Sequence, residues 1–128
     1  MSDDFSPFIS VVIPTLQEGK YLRRCLESLA KQSYACYETI VVDGGSTDET
    51  LDIAREFGAT IVPAPDSTMV IARQLGAELA HGAIIVGADA DTYYPEDHLA
   101  RVVANFERDA RIVAVGGIGV LPIPASPR

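Results

Sequence analysis

The sequence predicts a doubly wound, mostly parallel α/β sheet with helices on both faces. First, short β-branched segments alternate with segments of helical periodicity, the order expected for parallel strands joined by crossover helices. Second, residues 83–86 (AIIV) are apolar throughout, as expected of a strand that is buried on both faces. Third, 128 residues suit one domain, and 48% hydrophobic and 22% charged residues are globular proportions.

The first two predicted strands flank one amphipathic helix. Residues 9–13 (ISVVI) form a β-branched run stopped by Pro14, and residues 38–42 (ETIVV) form a second run. Between them, residues 18–31 are predicted to be helical because four apolar side chains share one face at helical spacing. These side chains are Leu22, Cys25, Leu26 and Leu29.

The second predicted helix follows the second strand after a short polar loop. Ser46 is expected to be its N-cap, with Glu49 three residues later completing a capping box. Gly58 is expected to end this helix. Its buried side chains are predicted to be Leu51, Ala54 and Phe57. Residues 60–62 then predict a brief third strand.

The remaining predicted elements complete the alternation. Residues 68–80 predict a helix whose buried stripe is Ile71, Leu75 and Leu79. After strand 83–86, Pro95 is expected to open a helix that buries Leu99, Val102, Val103 and Phe106. Residues 112–115 predict a fifth strand. We therefore assign residues 1–120 to one domain and residues 121–128 to a proline-rich tail or truncated linker.

Composition excludes several kinds of partner. The net charge is −8 and the pI is near 4.5, and no Lys/Arg run is present, so we expect no nucleic-acid binding. Cys25 and Cys36 match no metal or redox spacing and are expected to be free thiols. The N-terminus lacks the features of a signal peptide, so we expect a cytoplasmic location.

Acidic residues follow each of the first four predicted strands. They are Glu18, Asp43, Asp66, and the pair Asp89 and Asp91. In open α/β sheets, ligands bind beyond the carboxyl ends of the strands, where these loops converge. Clustered carboxylates repel one another unless they bind cations or hydrogen-bond donors. The pattern therefore predicts a divalent-metal site, or recognition of polar groups such as ribose hydroxyls and base N–H groups.

Two loops carry the strongest signals. Residues 87–92 (GADADT) place two carboxylates directly after a buried strand, and Mg²⁺ or Mn²⁺ is often held by such a pair plus substrate phosphates. Residues 41–50 (VVDGGSTDET) combine a glycine turn with a predicted helix start. Capping Asp residues and an ordinary strand-to-helix loop remain the alternatives. The P-loop and dinucleotide-binding patterns are absent, and Tyr93 stands where a phosphatase DxDxT motif has Thr.

Three segments together carry a family resemblance, namely SVVIPTLQE, TIVVDGGSTDET and ARQLGAELAHGAIIVGADADT. In order and spacing they resemble the nucleotide-sugar-binding half of a family 2 glycosyltransferase. The resemblance covers about residues 8–120 and implies the GT-A fold, whose first half is Rossmann-like. It implies binding of a nucleoside diphosphate sugar, UDP- or GDP-linked, through Mn²⁺ or Mg²⁺.

The resemblance also implies residue roles. Its nucleotide-binding positions are Pro14, Thr15, Glu18, Asp43, Arg73 and Asp89. Asp43 matches the acid that accepts from the base, Arg73 the helix arginine that reaches the base, and Asp89 the acid near the ribose. Asp91 matches the metal ligand on the diphosphate.

The general base of inverting members is expected beyond Arg128, in an acceptor-binding region. His98, predicted to face solvent, and His81 are assigned no catalytic role. We therefore expect a donor-binding domain for inverting transfer to a hydroxyl acceptor, a sugar or a lipid-linked one. Attachment of its full-length parent to the cytoplasmic face of a membrane is a further expectation.

Two other functions remain open: a non-catalytic nucleotide-binding module, and a metal-dependent phosphotransferase or hydrolase. A homodimer through the apolar residues 112–124 is a further expectation.

Overall fold

The computed structural model of this chain describes residues 5–109 and confirms the predicted α/β fold class. In this range four strands alternate with four helices. In chain order they are β1 (Ile9–Thr15), α1 (Leu22–Ala30), β2 (Tyr37–Asp43), α2 (Thr50–Glu56), β3 (Thr60–Pro63), α3 (Met69–Leu79), β4 (Ile84–Gly87) and α4 (His98–Arg108). None of these helices is long and apolar enough to cross a bilayer.

The described strands form one parallel sheet in the order β3-β2-β1-β4. β1 pairs with β2 along its whole length, from Ile9 beside Tyr37 to Thr15 beside Asp43. The connections run outward from β1 in one direction to β2 and β3, and then return to β4 on its other side. The carboxyl ends of β1 and β4 therefore flank the point where the strand order reverses, which is where sheets of this kind bind ligands.

Helices pack on both faces of the sheet. On one face, α1, α2 and α4 bury apolar side chains against β1, β2 and β4. On the other face, α3 packs Ala72 against Val12, Ile40 and Val42. Gly76 allows α3 this close approach, because a Cβ atom there would lie 2.3 Å from Cγ1 of Val12. The sheet is thus fixed from both sides beneath the loops at its carboxyl edge.

The predicted stripe of α1 is confirmed, whereas that of α3 is right at one position of three. Leu22, Cys25, Leu26 and Leu29 are all buried. In α3, Leu75 packs against the core as predicted, but Ile71 and Leu79 are exposed, and Ala72 and Gly76 are buried instead. The small residues face the sheet because the helix backbone lies too near β1 to admit larger ones.

Two helix starts also differ from prediction. α2 begins at Thr50, and the Ser46 hydroxyl binds Asp43 instead of capping the helix, so the predicted capping box is wrong. α4 begins at His98, whose N–H donates to the carbonyl of Pro95. His98 is only 4% exposed, contrary to the prediction that it faces solvent, because its ring packs on Tyr94.

β4 is less enclosed than predicted. Ile84 and Val86 are buried, but Ile85 is exposed on the opposite face. β4 is the last strand of the described sheet, and α3 covers β1 and β2 instead. The predicted strand 112–115, the apolar region 112–124 and the tail 121–128 lie outside the described residues.

Candidate functional site

The floor of the candidate site is a hydrogen-bonded pair at the ends of β1 and β2. The strand register places Thr15 beside Asp43, and Oγ1 of Thr15 donates to Oδ1 of Asp43 at 2.7 Å. Asp43 is only 4% exposed. Pro14, the third residue predicted here, is buried within β1 and pairs with Val42. The parallel register alone therefore brings these predicted residues together.

The Asp43 carboxylate is fully used by groups of the protein. Besides Thr15, it accepts from the N–H of Gly45 (3.0 Å), the N–H of Ser46 (2.8 Å) and the hydroxyl of Ser46 (2.6 Å). Burial disfavours its charged form, but the hydrogen bonds from Ser46, Thr15 and Gly45 outweigh burial and lower its pKa. An ionised carboxylate has about four acceptor sites. Asp43 therefore shapes the turn after β2, where Gly45 adopts φ +111°.

Gln17 joins the loop after β1 to the loop after β2. Its Oε1 accepts from the N–H of Thr47 (2.6 Å) and of Asp48 (3.3 Å), and its Nε2 donates to Oγ1 of Thr47 (3.0 Å). Its own N–H donates to Oγ of Ser46 at 2.9 Å. Gln17 adopts φ +55°, in the left-handed region that most side chains avoid. The two loops therefore form one unit, a role the sequence did not reveal.

Asp48 closes the same unit from the other side. Its Oδ2 accepts from the N–H of Gly19 at 3.0 Å, and its Oδ1 accepts from both the N–H and the hydroxyl of Thr50. The hydrogen bonds from Thr50 lower the pKa of Asp48. The Thr50 hydroxyl in turn accepts from the N–H of Glu18 at 2.9 Å. This contact fixes the backbone of Glu18, a predicted site residue, at the rim.

The carboxylates at this edge lie close enough to influence one another. Burial raises the pKa of Glu18, and the negative charges of Asp91, Asp48 and Asp89 raise it further. Behind them, burial and then the same acidic field raise the pKa of Cys25 to about 12, so its thiol stays protonated. Of the acids predicted from the strand ends, Glu18, Asp89 and Asp91 therefore lie near one another at this edge.

Arg73 brings a positive charge to these acids. Nη2 of Arg73, on α3, lies 2.6 Å from Oδ1 of Asp89, in the loop after β4. Both side chains are partly exposed, at 39% and 44%. Gly87 leaves room for the arginine, because a Cβ atom there would lie 3.1 Å from Nη1. Two residues predicted to bind a nucleotide are thus in direct contact at the switch point of the sheet.

Asp91, the predicted metal ligand, lies two residues further along the same loop. It is exposed, and the Thr92 hydroxyl contacts its Oδ1 at 3.5 Å. Within residues 5–109, no group of three His, Cys, Asp or Glu side chains is arranged to hold a metal ion by itself. A metal at this edge would therefore need ligands from another source, such as substrate phosphates and water.

The family model of Glycosyl transferase family 2 matches residues 10–122. This chain belongs to glycosyl transferase family 2. The resemblance carried by the three segments of the sequence is thereby confirmed, and the match covers every residue predicted for the site.

Curated relatives of this glycosyl transferase family 2 chain are glycosyltransferases of bacteria and archaea. A PGL/p-HBAD biosynthesis glycosyltransferase of Mycobacterium bovis is 42% identical over 107 residues, which cover 77% of this chain and 41% of the relative. A dolichyl N-acetyl-alpha-D-glucosaminyl phosphate 3-beta-D-2,3-diacetamido-2,3-dideoxy-beta-D-glucuronosyltransferase of Methanococcus voltae is 32% identical over 124 residues, covering 87% and 39%. The chain spans about two fifths of the length of these relatives.

Solved structures share the GT-A fold of this family 2 chain. The mannosyltransferase PcManGT of Pyrobaculum calidifontis, in complex with GDP-Man and Mn²⁺, has a TM-score of 0.76 and 27% identity, covering 88% of this chain and 35% of that one. S. aureus TarS 1-349 in complex with UDP-GlcNAc has a TM-score of 0.69 and 28% identity, covering 79% and 31%. Both similar structures thus hold a nucleotide sugar, one with a divalent metal.

Proposed function

We propose that this chain is the donor-binding part of a glycosyltransferase that uses a nucleoside diphosphate sugar, UDP- or GDP-linked. The Arg73–Asp89 pair carries this proposal, because it places a cation and a carboxylate together at the ligand-binding edge of the sheet. The resemblance implies that Arg73 reaches the base; a guanidinium also suits a diphosphate, and a carboxylate accepts hydrogen bonds from ribose hydroxyls. The complexes of similar proteins with GDP-Man and UDP-GlcNAc support the same substrate class.

The nucleoside would lie over the joined loops that follow β1 and β2. Pro14, Thr15 and Asp43 form a rigid floor there, because each is buried and paired within the sheet or its turn. Glu18 adds a carboxyl group at the rim. We infer that Asp43 acts mainly by holding the loop in a shape that receives the base, since its acceptor sites are already used.

A divalent metal, Mn²⁺ or Mg²⁺, fits the donor chemistry of this edge. Mg²⁺ is typically held by one or two carboxylates together with substrate phosphates and water, so a complete protein cage is not required. Asp91 is the residue that would hold it, being exposed beside the other acids. When bound, such a metal offsets the charge that develops on a departing diphosphate.

The acceptor part of the reaction would depend on a region beyond Arg128. Inverting transfer needs a base that takes the proton of an acceptor hydroxyl, and we propose that this base lies outside the 128-residue chain. The chain spans about two fifths of its curated relatives, which supports this division. The isolated chain is then expected to bind a donor nucleotide without efficient transfer. The alternative function, a non-catalytic nucleotide-binding module, would likewise bind a nucleotide without turnover.

Calorimetry tests the proposal. The chain is titrated with UDP and with GDP, each with and without Mn²⁺, and we expect metal-dependent binding of at least one nucleotide. Asp91→Asn should weaken that binding about tenfold or more, which corresponds to about 1.4 kcal/mol. Asp52→Asn is the matched control, since Asp52 is an exposed helix carboxylate that pairs with Arg55. Metal-independent binding, or no binding of either nucleotide, would contradict the proposal.

A further inference from the structure

The β4–α4 loop, residues 88–97, is held by hydrogen bonds to α1 and to the residues that follow it, Gln32 and Ser33. Ser28 accepts from the N–H of Tyr94 at 2.9 Å. Gln32 donates to the carbonyl of Pro95 at 2.6 Å, and the N–H of Ser33 donates to the carbonyl of Glu96 at 2.8 Å. The loop that carries Asp89 and Asp91 therefore has a fixed far end.

Tyr94 connects this fixed end back to Asp89. Its ring is buried, with 7% exposure, and its hydroxyl oxygen accepts from the N–H of Asp89 at 3.0 Å. The carbonyl of Asp89 accepts from the N–H of Thr92 at 3.1 Å and from the thiol of Cys25 at 3.5 Å. The N–H and the carbonyl of Asp89 are thus both held, while its carboxylate remains directed at Arg73.

His98 supports the Tyr94 ring from behind. The two rings stack with centroids 4.7 Å apart and an interplanar angle of 30°. Burial raises the pKa of Tyr94 to about 12, so the group facing Asp89 is a neutral hydroxyl at physiological pH. A buried aromatic ring with few rotatable bonds is a rigid support, and its polar end usually finds a hydrogen-bond partner. Here that partner belongs to the backbone between β4 and Asp91.

We propose that Tyr94 is a positioning residue of the donor site, which fixes the Asp89 peptide so that Asp89 and Asp91 keep one arrangement for nucleotide and metal. The inference rests on the proposed function but invokes no contact between Tyr94 and the substrate. Residues that hold a binding group in one orientation raise its affinity for metal or substrate, because the group is then already in the arrangement that binds. Loss of the hydroxyl leaves the Asp89 N–H without its partner and frees the loop near Asp91.

The test compares Tyr94→Phe with Tyr37→Phe. The Tyr37 hydroxyl also bonds to backbone, donating to the carbonyl of Leu29 at 2.7 Å, but its partner belongs to α1 and not to the Asp89–Asp91 loop. Amide hydrogen exchange without ligand is measured at Asp89, and we expect exchange about tenfold faster or more in Tyr94→Phe alone. The Mn²⁺ concentration for half-maximal UDP or GDP binding should rise about 5- to 50-fold in Tyr94→Phe and stay unchanged in Tyr37→Phe.

A second pair of variants covers the case in which Tyr94→Phe fails to fold. Ser28→Ala removes the acceptor for the Tyr94 N–H, so the Mn²⁺ concentration for half-maximal binding should rise, as expected for Tyr94→Phe. Ser28→Thr keeps a hydroxyl at this position, so its Mn²⁺ requirement should stay close to that of wild type. A role in stability alone would not shift the Mn²⁺ requirement of folded protein.

The outcomes separate the two proposals. If wild type binds neither nucleotide, the proposed function fails, and the Asp89 exchange rate still decides whether Tyr94 holds the peptide. If wild type binds and Tyr94→Phe binds with the same Mn²⁺ requirement, the positioning role is overturned. Equal weakening by Tyr94→Phe and Tyr37→Phe would also overturn it, because the effect would then follow general destabilisation.

Discussion

Arg73 and Asp89 pair at 2.6 Å across the gap between a helix on one face of the sheet and the loop after β4. Because both side chains are about 40% exposed, water screens the pair, and such pairs contribute about 0–1 kcal/mol to stability. The pair is therefore of little value for folding. Its partly open position leaves the guanidinium able to exchange a carboxylate for an anionic ligand at small cost.

The first prediction separates binding from stability at this pair. Arg73→Gln should change the free energy of unfolding by no more than about 1 kcal/mol, measured in urea. Its affinity for a nucleoside diphosphate should fall about tenfold or more, measured by calorimetry. Arg23→Gln is the control, since it breaks the exposed pair with Glu56 between α1 and α2. A loss of affinity in the control as large as in Arg73→Gln would contradict the assignment.

The second prediction concerns the buried Asp43. Asp43→Asn should lower the free energy of unfolding by about 2–4 kcal/mol, because an amide cannot accept from all four donors and places an N–H₂ group against them. Asp97→Asn, at an exposed carboxylate before α4, should change it far less. Equal stability of the two variants in urea would rule out the turn-forming role of Asp43.

Asp43 also makes the stability depend on pH in the acid range. Its pKa in the folded protein is lower than its ordinary value of 3.8, so the folded state binds the proton less readily than the unfolded state. The contribution of Asp43 is therefore complete above about pH 4 and is lost as pH falls through the folded pKa. Urea unfolding of wild type and Asp43→Asn from pH 6 to 2.5 should show the difference between them shrink with acid. A difference in unfolding free energy that stays constant with pH would contradict the lowered pKa of Asp43.

The next prediction concerns the joined loops. Gln17→Gly removes the side-chain hydrogen bonds to Thr47 and Asp48 and accepts the φ of +55°, whereas Gln17→Ala removes them and keeps the backbone strain. Both variants should bind nucleotide more weakly than wild type, with Ala less stable than Gly by about 1 kcal/mol in urea. Nucleotide affinity equal to wild type in both variants would show that the loop shape does not depend on Gln17.

Topology and long amphipathic stripes could be predicted from the sequence because both follow from local periodicity. α1 presents four large apolar residues at regular spacing, and they are buried as expected. α3 could not be predicted in the same way, since Gly76 and Ala72 face the sheet where a hydrophobicity pattern favours Ile71 and Leu79. The short distance between α3 and β1 determines which residues of α3 face the sheet. That distance could not be inferred from the hydrophobic periodicity of α3 alone.

The site was predictable to the extent that it depends on where strands end. Asp43 is the last residue of β2 and Asp89 lies two residues after β4, so the parallel topology brings both to the same edge. Gln17 could not be predicted, because its partners lie about 30 residues away in an exposed loop. Tyr94 gave no signal either, since an aromatic residue near a helix start is usually core, and its bond to Asp89 appears only in three dimensions.

The last prediction uses His98, which is buried with no hydrogen-bond partner for Nδ1 in the described part of the chain. Burial lowers its pKa from the ordinary value of 6.5, the positive charge of Arg101 lowers it further, and Asp97 opposes both. The unfolded state therefore binds the proton more readily, and folding stability should fall as pH drops from about 6.5 toward the lower folded pKa, by at most about 1.4 kcal/mol per pH unit.

His98→Phe keeps a flat ring against Tyr94 but cannot bind a proton. The fall in unfolding free energy between pH 7 and pH 5, measured in urea, should therefore be smaller in His98→Phe than in wild type. The comparison of slopes is independent of any constant change in packing caused by the larger ring. The other acidic groups titrate equally in both proteins, so they do not contribute to the difference between the two slopes. Identical slopes would mean that His98 binds a proton as readily in the folded as in the unfolded state. That outcome would contradict the lowered pKa that follows from its burial against Tyr94.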